Sequence, residues 1–332
     1  MMLTTCPLPL PYQLPALAMC MASASASASF FPSTSTNKQT TSLPLPARRL
    51  LTKVRGGNDS PTSIVVQPLM KGPADAYKTV LALGVKKANQ SASKILLLGL
   101  VAGMQVGIGA AMAVATLGGV PMLQEQNPAL AKVLFGIVGL PCSLLMVVAT
   151  GSELFTGNTA IVGTAFFEGK ITRQQLAKSW GFSFLGNLLG ASFLAVLCNY
   201  AGVFSQAAGT FTAVADAKAS LPFGVAIARG IVCNWLVCSA VWCSTAAADL
   251  VSKAVVILMI ITIFAALGFE HSVANMFVGP FGALQKSSRT GFFKFFFKNL
   301  VSAFPTSDIS PNALFFSLPG CKLVRFYPTL SI

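Results

Sequence analysis

The sequence is poor in charge and contains a single histidine. Charged residues make up 10% of the 332 residues, and His271 is the one histidine. With one histidine and no Cys-x-x-Cys pair, the eight cysteines do not form a zinc-site pattern. The chain also has few carboxylates, no Ser-His-Asp set and no nucleotide-binding glycine motif. We therefore predict that the protein is not an enzyme and that it uses no metal or other cofactor.

The sequence contains long apolar runs without charged residues. The chain is 54% hydrophobic with a mean hydropathy of +0.71, which is too apolar for an ordinary soluble domain. A helix needs roughly 20 apolar residues to cross the bilayer core. This composition predicts an all-α polytopic membrane protein surrounded by lipid. The uncharged runs are 95–124, 133–152, 179–215, 230–248 and 254–269.

The net charge of +14 raises the question of a nucleic-acid partner. Five of the basic residues lie within the first 58, and most others flank the apolar runs. Basic residues at helix ends are typical of membrane proteins, where they set orientation. No basic face with interleaved aromatic residues occurs outside the C-terminal tail, so we expect no nucleic-acid partner.

The N-terminal 58 residues are acid-free and basic, with a Ser/Ala tract at 22–29. This composition is typical of an organelle transit peptide, and the many serines and prolines favour a chloroplast over a mitochondrion. A secretory signal is the alternative, but the short positive start before its apolar stretch is missing. We predict a plastid transit peptide over 1–60 and a polar, basic lead-in over 61–94.

Two apolar stretches are interrupted by the same pattern, Glu-x-x-x-(Gly/Ala)-Asn. The first runs from Glu153 to Asn158 and the second from Glu270 to Asn275, with His271 directly after the second glutamate. An ionisable group at membrane depth is costly and marks a pathway. Two interrupted segments in corresponding positions of two halves predict a transport site at the interface between the repeats.

The charge pattern predicts five spans and their orientation. The segments 61–94 and 168–178 hold eight Lys and Arg, whereas 119–130 and 204–222 hold one, Lys218. The positive-inside rule places the first two on the matrix side, here the stroma, and 204–222 is interpreted as a loop. The predicted spans are 95–118, 130–167 with a break at 151–158, 179–203, 223–246, and 254–284 with a break at 268–275. In the first span, Gly99, Gly103, Gly107 and Gly109 favour close helix packing.

The tail departs from this repeat. A channel domain over 95–285 leaves 286–332, where a sixth helix would complete the second half. Lysines interrupt the aromatic run Gly291-Phe-Phe-Lys-Phe-Phe-Phe-Lys298, and prolines and charges follow. No uncharged stretch of about 20 residues remains, so the sixth helix is missing or replaced. A replaced C-terminal exon or a read-through intron would give such a tail, and a basic aromatic interfacial segment is the alternative.

Three motifs resemble those of the formate/nitrite transporter family. They are Glu153-Leu-Phe-Thr-Gly-Asn158, Cys233-Asn-Trp-Leu-Val-Cys-Ser-Ala-Val-Trp242 and Gly268-Phe-Glu-His-Ser-Val-Ala-Asn-Met-Phe277. The resemblance covers roughly 75–285. With the plastid-type leader, the chain is similar to the algal and plant plastid branch, whose members carry nitrite or bicarbonate.

The resemblance implies an aquaporin-like inverted repeat of three-helix halves in which helices two and five are broken. It implies a homopentamer with one pore per protomer, in the chloroplast envelope, and most simply in its inner membrane. The transported species would be a small monovalent anion, with nitrite first and formate or bicarbonate next, alone or with a proton. The alternative is a truncated, inactive isoform that associates with full-length subunits.

The resemblance also implies roles for individual residues. His271 corresponds to the central pore histidine and Thr156 to its contact, while Asn234 corresponds to the asparagine of helix four and Lys218 to the vestibule lysine. Four further residues would hold the backbone of the two breaks: Glu153, Asn158, Glu270 and Asn275. Two apolar constrictions are implied, one of Leu140, Leu144 and Phe155 and the other of Leu154, Val237 and Phe264.

Overall fold

The computed structural model describes residues 50–52, 65–67 and 70–285. Two short strands, β1 (Leu50–Thr52) and β2 (Val65–Gln67), pair antiparallel with Leu50 opposite Gln67. All other regular elements of the described ranges are helices. The predicted transit peptide lies almost entirely outside these ranges, and the predicted atypical tail over 286–332 lies wholly outside them.

The helices follow the predicted spans closely. Within the described ranges, four helices are long and apolar enough to cross a membrane when α4 and α5, which meet at a bend, are counted together as Pro128–Thr150. The predicted fourth span, 223–246, matches α9 in both bounds. In chain order the helices are α1 (Pro73–Ala88), α2 (Ala92–Gly118), α3 (Pro121–Gln126), α4 (Pro128–Ile137), α5 (Leu140–Thr150), α6 (Phe155–Phe167), α7 (Arg173–Tyr200), α8 (Ala208–Ser220), α9 (Phe223–Ala246), α10 (Leu250–Ala266) and α11 (Ser272–Leu284).

The second and fifth spans are each broken into two half-helices. The first half of the second span, α4 with α5, is followed by Gly151, whose φ of +70° is left-handed, and α6 begins at Phe155. The first half α10 is followed by Gly268, with φ +74°, and α11 begins at Ser272. Glycine adopts this conformation without the steric cost of a Cβ, so it can end a helix within the membrane. The breaks are shorter than predicted, since both motif asparagines lie inside the second half-helices.

The interpretation of 204–222 as a loop is wrong. A 3₁₀ turn (Ser205–Ala207) leads into helix α8, which is rich in alanine, the best helix former. Phe211 fixes this helix in the core: it is fully buried, and its ring centroid lies 4.5 Å from that of Phe281 on α11. Within the lead-in, α1 likewise buries one face, with Ala76, Val80, Gly84 and Ala88 at four-residue spacing.

Helices α2 and α7 approach each other at backbone contact distance. A Cβ built on Gly103 would lie 2.2 Å from the carbonyl oxygen of Asn187, and one on Gly190 would lie 2.0 Å from that of Leu100. Small residues permit such approach in membranes, where packing replaces the hydrophobic effect as the force between helices. The predicted packing role of the α2 glycines is confirmed. This contact fixes the position of α7 against the first break.

We expect Gly190→Ala to disrupt the α2–α7 contact, because the added methyl group would overlap the Leu100 carbonyl. The two backbones must then separate, and overpacking of this kind costs about 1–3 kcal/mol or more. Gly181→Ala, on the same helix but with nothing within 4 Å of its Cβ position, is the matched control. It should leave stability unchanged or raise it slightly. Thermal unfolding in detergent compares the two, and equal midpoints would contradict the prediction.

Candidate functional site

His271 lies at the second break and caps helix α11. The backbone N–H of Ala274 donates to its Nδ1 over 3.0 Å, so Nδ1 is unprotonated and the hydrogen of the neutral ring is on Nε2. Nε2 lies 3.3 Å from Oγ1 of Thr156, the second residue of α6. The ring stacks on Phe264 at 5.8 Å, and only 6% of the residue is exposed. His271 thus joins the two breaks and directs an N–H toward the space between them.

The first break is held by a fully buried carboxylate. Glu153 has no exposed surface, and its Oε2 accepts a hydrogen bond from Asn158 at 2.7 Å and forms an ion pair with Lys87 at 2.9 Å. Gln90 donates to the other oxygen over 3.0 Å. Both carboxylate oxygens are therefore occupied by donors from α1, the α1–α2 turn and α6. The carboxylate organises the break and does not face the site as a bare charge.

The second break repeats this arrangement. Oε2 of Glu270 accepts from Asn275 at 2.8 Å and pairs with Lys218 at 2.8 Å. Lys218 is near the end of α8 and Lys87 near the end of α1, so each half has a Glu–Asn–Lys set. The pseudo-symmetry extends to Lys87, which sequence reasoning missed. Its position near the end of an amphipathic helix gave a weak signal that the repeat relation would have strengthened.

Asn187 on α7 is a further site residue that the sequence did not single out. Its Nδ2 donates to the carbonyls of Gly99 (2.8 Å) and Glu153 (3.0 Å), and its Oδ1 accepts from the N–H of Phe155 (2.9 Å). Backbone groups freed by a broken helix in lipid must find partners within the protein. One amide here satisfies both sides of the first break. The only sequence signal was a polar amide within an uncharged run.

Helix α9 reaches the same region through Asn234 and Cys238. Nδ2 of Asn234 donates to Oγ1 of Thr159 over 3.3 Å, and Sγ of Cys238 donates to the carbonyl of Thr156 over 3.3 Å. Oδ1 of Asn234 is buried and has no partner among the described residues. The asparagine thus contacts Thr159, one turn of α6 after Thr156, and its amide oxygen has no partner among the described residues.

A cavity of about 300 Å³ opens onto His271 from the α8 side. Its polar lining includes Lys218, Arg229 and Glu270, and its apolar wall includes Leu140 and Phe264. The resemblance assigned Leu140 and Phe264 to different constrictions, but they line this one cavity. Of the other constriction residues, Leu144, Leu154 and Val237 are buried in the core. Phe155 packs edge-on against Phe184 at 5.1 Å and is not part of the cavity wall.

Helix α1 and the residues just before it contact the ends of α6 and α9 on the opposite side of the bundle. The backbone N–H of Lys71 donates to the carbonyl of Ala246 over 2.9 Å, and the Tyr77 hydroxyl donates to Glu168 at the end of α6. Burial, and then the hydrogen bond to Glu168, raise the pKa of Tyr77, which therefore remains a donor at every physiological pH. Among residues 70–285, no group of three His, Cys, Asp or Glu could hold a metal ion.

Comparison with known proteins gives consistent matches. The family model described as formate/nitrite transporter matches residues 74–305, which reaches beyond the limit of 285 drawn from the motifs. An uncharacterized transporter of Bacillus subtilis is 33% identical over 249 residues, covering 74% of this chain and 91% of the relative. The formate channel FocA of Escherichia coli K12 is 34% identical over 63% of this chain and 73% of its own length.

Two solved structures are similar to this chain. One described as an FNT family ion channel has a TM-score of 0.64 at 27% identity, covering 77% of this chain and 99% of the other. A second, a pentameric formate channel with formate bound, has a TM-score of 0.59 at 26% identity, covering 68% and 94%. These likenesses confirm the predicted aquaporin-like, all-α membrane fold, and relatives that are channels and transporters confirm that the chain is not an enzyme. The chain is an integral membrane protein that belongs to the formate/nitrite transporter family.

Proposed function

We propose that the chain forms a pore for small monovalent anions, nitrite above all and also formate or bicarbonate, with His271 as its central polar group. The observation that carries this proposal is the 3.3 Å approach of His271 Nε2 to Thr156 Oγ1 where the two breaks meet. The relatives named as formate channels support a planar oxyanion of this size.

The main barrier to such an anion is loss of water in the apolar part of the pore. The idealised cost of moving an ion of this kind into low dielectric is on the order of 20 kcal/mol, and several kcal/mol remain after relaxation. Because Nδ1 of His271 accepts from the backbone, the neutral ring donates through Nε2–H, which points to Thr156 Oγ1. It can donate to an anion oxygen midway through the pore, where the Thr156 hydroxyl and the second amide hydrogen of Asn234 Nδ2 can donate as well.

The capping hydrogen bond also bears on proton movement. An imidazolium carries hydrogens on both nitrogens, so it could not accept from the Ala274 N–H. We therefore propose that His271 acts as a hydrogen-bond donor through Nε2 and not as a carrier that gains and loses a proton in each cycle. A proton that crosses with the anion would then travel on the anion itself, since a protonated monoacid crosses an apolar constriction more easily than its anion does.

We place the pore in the chloroplast envelope, most simply its inner membrane, as a homopentamer. The acid-free, Ser-rich leader supports the organelle, and the related solved structure described as a pentameric formate channel supports the assembly. Large apolar residues exposed along α2 and α7, such as Leu97, Met112, Leu189 and Phe193, suit contact with lipid or a neighbouring subunit. Stromal reduction would consume nitrite, which favours it as the physiological anion.

Nitrite and formate uptake into proteoliposomes tests the proposal, with the full chain compared with a version that ends at Leu284. We expect saturable uptake of both anions by the full chain. Equal uptake by the shortened version would show that the tail is dispensable. No uptake from a folded, membrane-inserted full chain would overturn the proposal and support the inactive isoform that joins full-length subunits.

A further inference from the structure

We propose that Arg229, and not Lys218, is the residue that recruits the anion at the mouth of the His271 cavity. The inference rests on the proposed anion-channel function and names the residue that provides its entry site. It differs from the role that sequence resemblance assigned to Lys218. Three features of the described residues carry it. Lys218 forms an ion pair, Arg229 has no partner among the described residues, and both line the same cavity.

Lys218 is already neutralised. Its Nζ lies 2.8 Å from Oε2 of Glu270, and the two side chains are only 20% and 6% exposed. The carboxylate also accepts from Asn275, so the lysine completes the set that holds the second break. An incoming anion would have to compete with a fixed, partly buried carboxylate for this ammonium group. The pair as a whole carries no net charge, and it attracts an anion only weakly.

Arg229 has no such partner in the described part of the chain. It lies on α9, is exposed, and lines the same cavity as Lys218, Glu270 and His271. Its guanidinium makes no ion pair or hydrogen bond with any described residue. Among the described lining residues, Glu270 is the one acid, so the charges of Lys218 and Glu270 cancel. Among the described residues that line the cavity, the remaining positive charge is that of Arg229.

The chemistry of the side chain suits the anion. A guanidinium is always charged at physiological pH, and its planar fork of N–H donors matches two oxygens on one centre. Formate, nitrite and bicarbonate all present such a pair of oxygens, whereas chloride does not. Being exposed, Arg229 can bind an oxyanion without a large desolvation cost and release it toward His271. Nothing in the sequence indicated this role, because the cavity that Arg229 lines is formed by segments that lie far apart in the chain.

The test is initial-rate uptake of formate and nitrite by the full chain and its Arg229→Gln variant, at low and physiological ionic strength. We expect the variant to raise KM by about threefold to tenfold at about 10 mM salt, with the maximal rate changed by less than about twofold. The screening length falls from about 30 Å at 0.01 M to about 8 Å at 0.15 M, so the difference should shrink in physiological salt. Arg229→Lys, which keeps the charge, should recover most of the low-salt affinity.

Lys132→Gln is the matched control, since Lys132 is an exposed cation on α4, on the same predicted side of the membrane, and does not line the cavity. It should leave KM unchanged. A wild-type KM for Arg229→Gln at both salt concentrations would overturn the inference, and so would an equal rise of KM in Lys132→Gln.

A binding measurement separates this inference from the proposed function. Formate should raise the unfolding temperature of the purified protein more than chloride does at equal ionic strength, because a ligand that binds the folded state stabilises it. Arg229→Gln should lose that difference. If wild-type liposomes show no uptake but the formate effect depends on Arg229, the channel proposal falls and the binding site stands. A formate effect equal to that of chloride in the wild type would overturn the site itself.

Discussion

Replacing His271 with alanine is expected to reduce anion uptake by roughly 10- to 150-fold. The variant removes the Nε2–H donor beside Thr156, and a hydrogen bond to a charged group is worth about 1.5–3 kcal/mol. It also removes the acceptor for the Ala274 N–H, which should cost about 1 kcal/mol of stability as a lost helix cap. Uptake into proteoliposomes and thermal unfolding in detergent measure the two effects separately.

His271→Asn separates the capping role from the pore role. The asparagine Oδ1 occupies the place of the ring Nδ1 and is a favoured capping acceptor, so the unfolding temperature should stay close to that of the wild type. The side chain ends short of the Nε2 position and cannot reach Thr156. We expect uptake as low as in the alanine variant. Wild-type uptake by His271→Asn would show that the histidine serves the helix cap and not the anion.

Glu153→Ala is expected to have the largest effect on folding. It leaves Lys87, whose side chain is 16% exposed, without its carboxylate, and it deprives Gln90 and Asn158 of their acceptor. Breaking a buried pair by removing one partner costs about 3–5 kcal/mol, because the other charge remains buried and unpaired. We expect a large fall in thermal stability and loss of well-folded protein on size-exclusion chromatography.

Two further variants test whether the unpaired Lys87 causes the expected loss of stability. Adding Lys87→Met to Glu153→Ala removes the unpaired ammonium and should recover part of the lost stability. Asp75→Asn breaks the Lys78–Asp75 pair, whose side chains are 76% and 66% exposed, and should leave the unfolding temperature unchanged since exposed pairs contribute little. A Glu153→Ala variant as stable as Asp75→Asn would contradict the proposed structural role of this carboxylate.

The local features of this protein were readable from its sequence. The spans followed from uncharged runs of membrane length, and the bounds of α9 were predicted without error. The two breaks followed from a repeated Glu-x-x-x-(Gly/Ala)-Asn pattern with glycine at each helix end. Solvation in lipid and backbone conformation act over a few residues, and a short stretch of sequence therefore carries enough information to predict their effect.

The partners of the polar groups were decided only by the tertiary structure. Gln90 reaches Glu153 across 63 residues, Asn187 reaches Gly99 across 88, and His271 meets Thr156 across 115. These pairings depend on which helix faces meet, and the close α2–α7 contact fixes part of that arrangement. The placement of helix α8 in the core depended likewise on the burial of Phe211 against α11.

The sequence by itself thus determined that the chain crosses a membrane and is broken twice at a polar site. It could not determine that Lys218 is paired with Glu270 while Arg229, at the same cavity, has no ion-pair partner among the described residues. The physical reason is that an ion pair forms only where folding brings two side chains within about 4 Å. Charge counts along a sequence do not contain that distance, because it is set by the packing of α8, α9 and the second break.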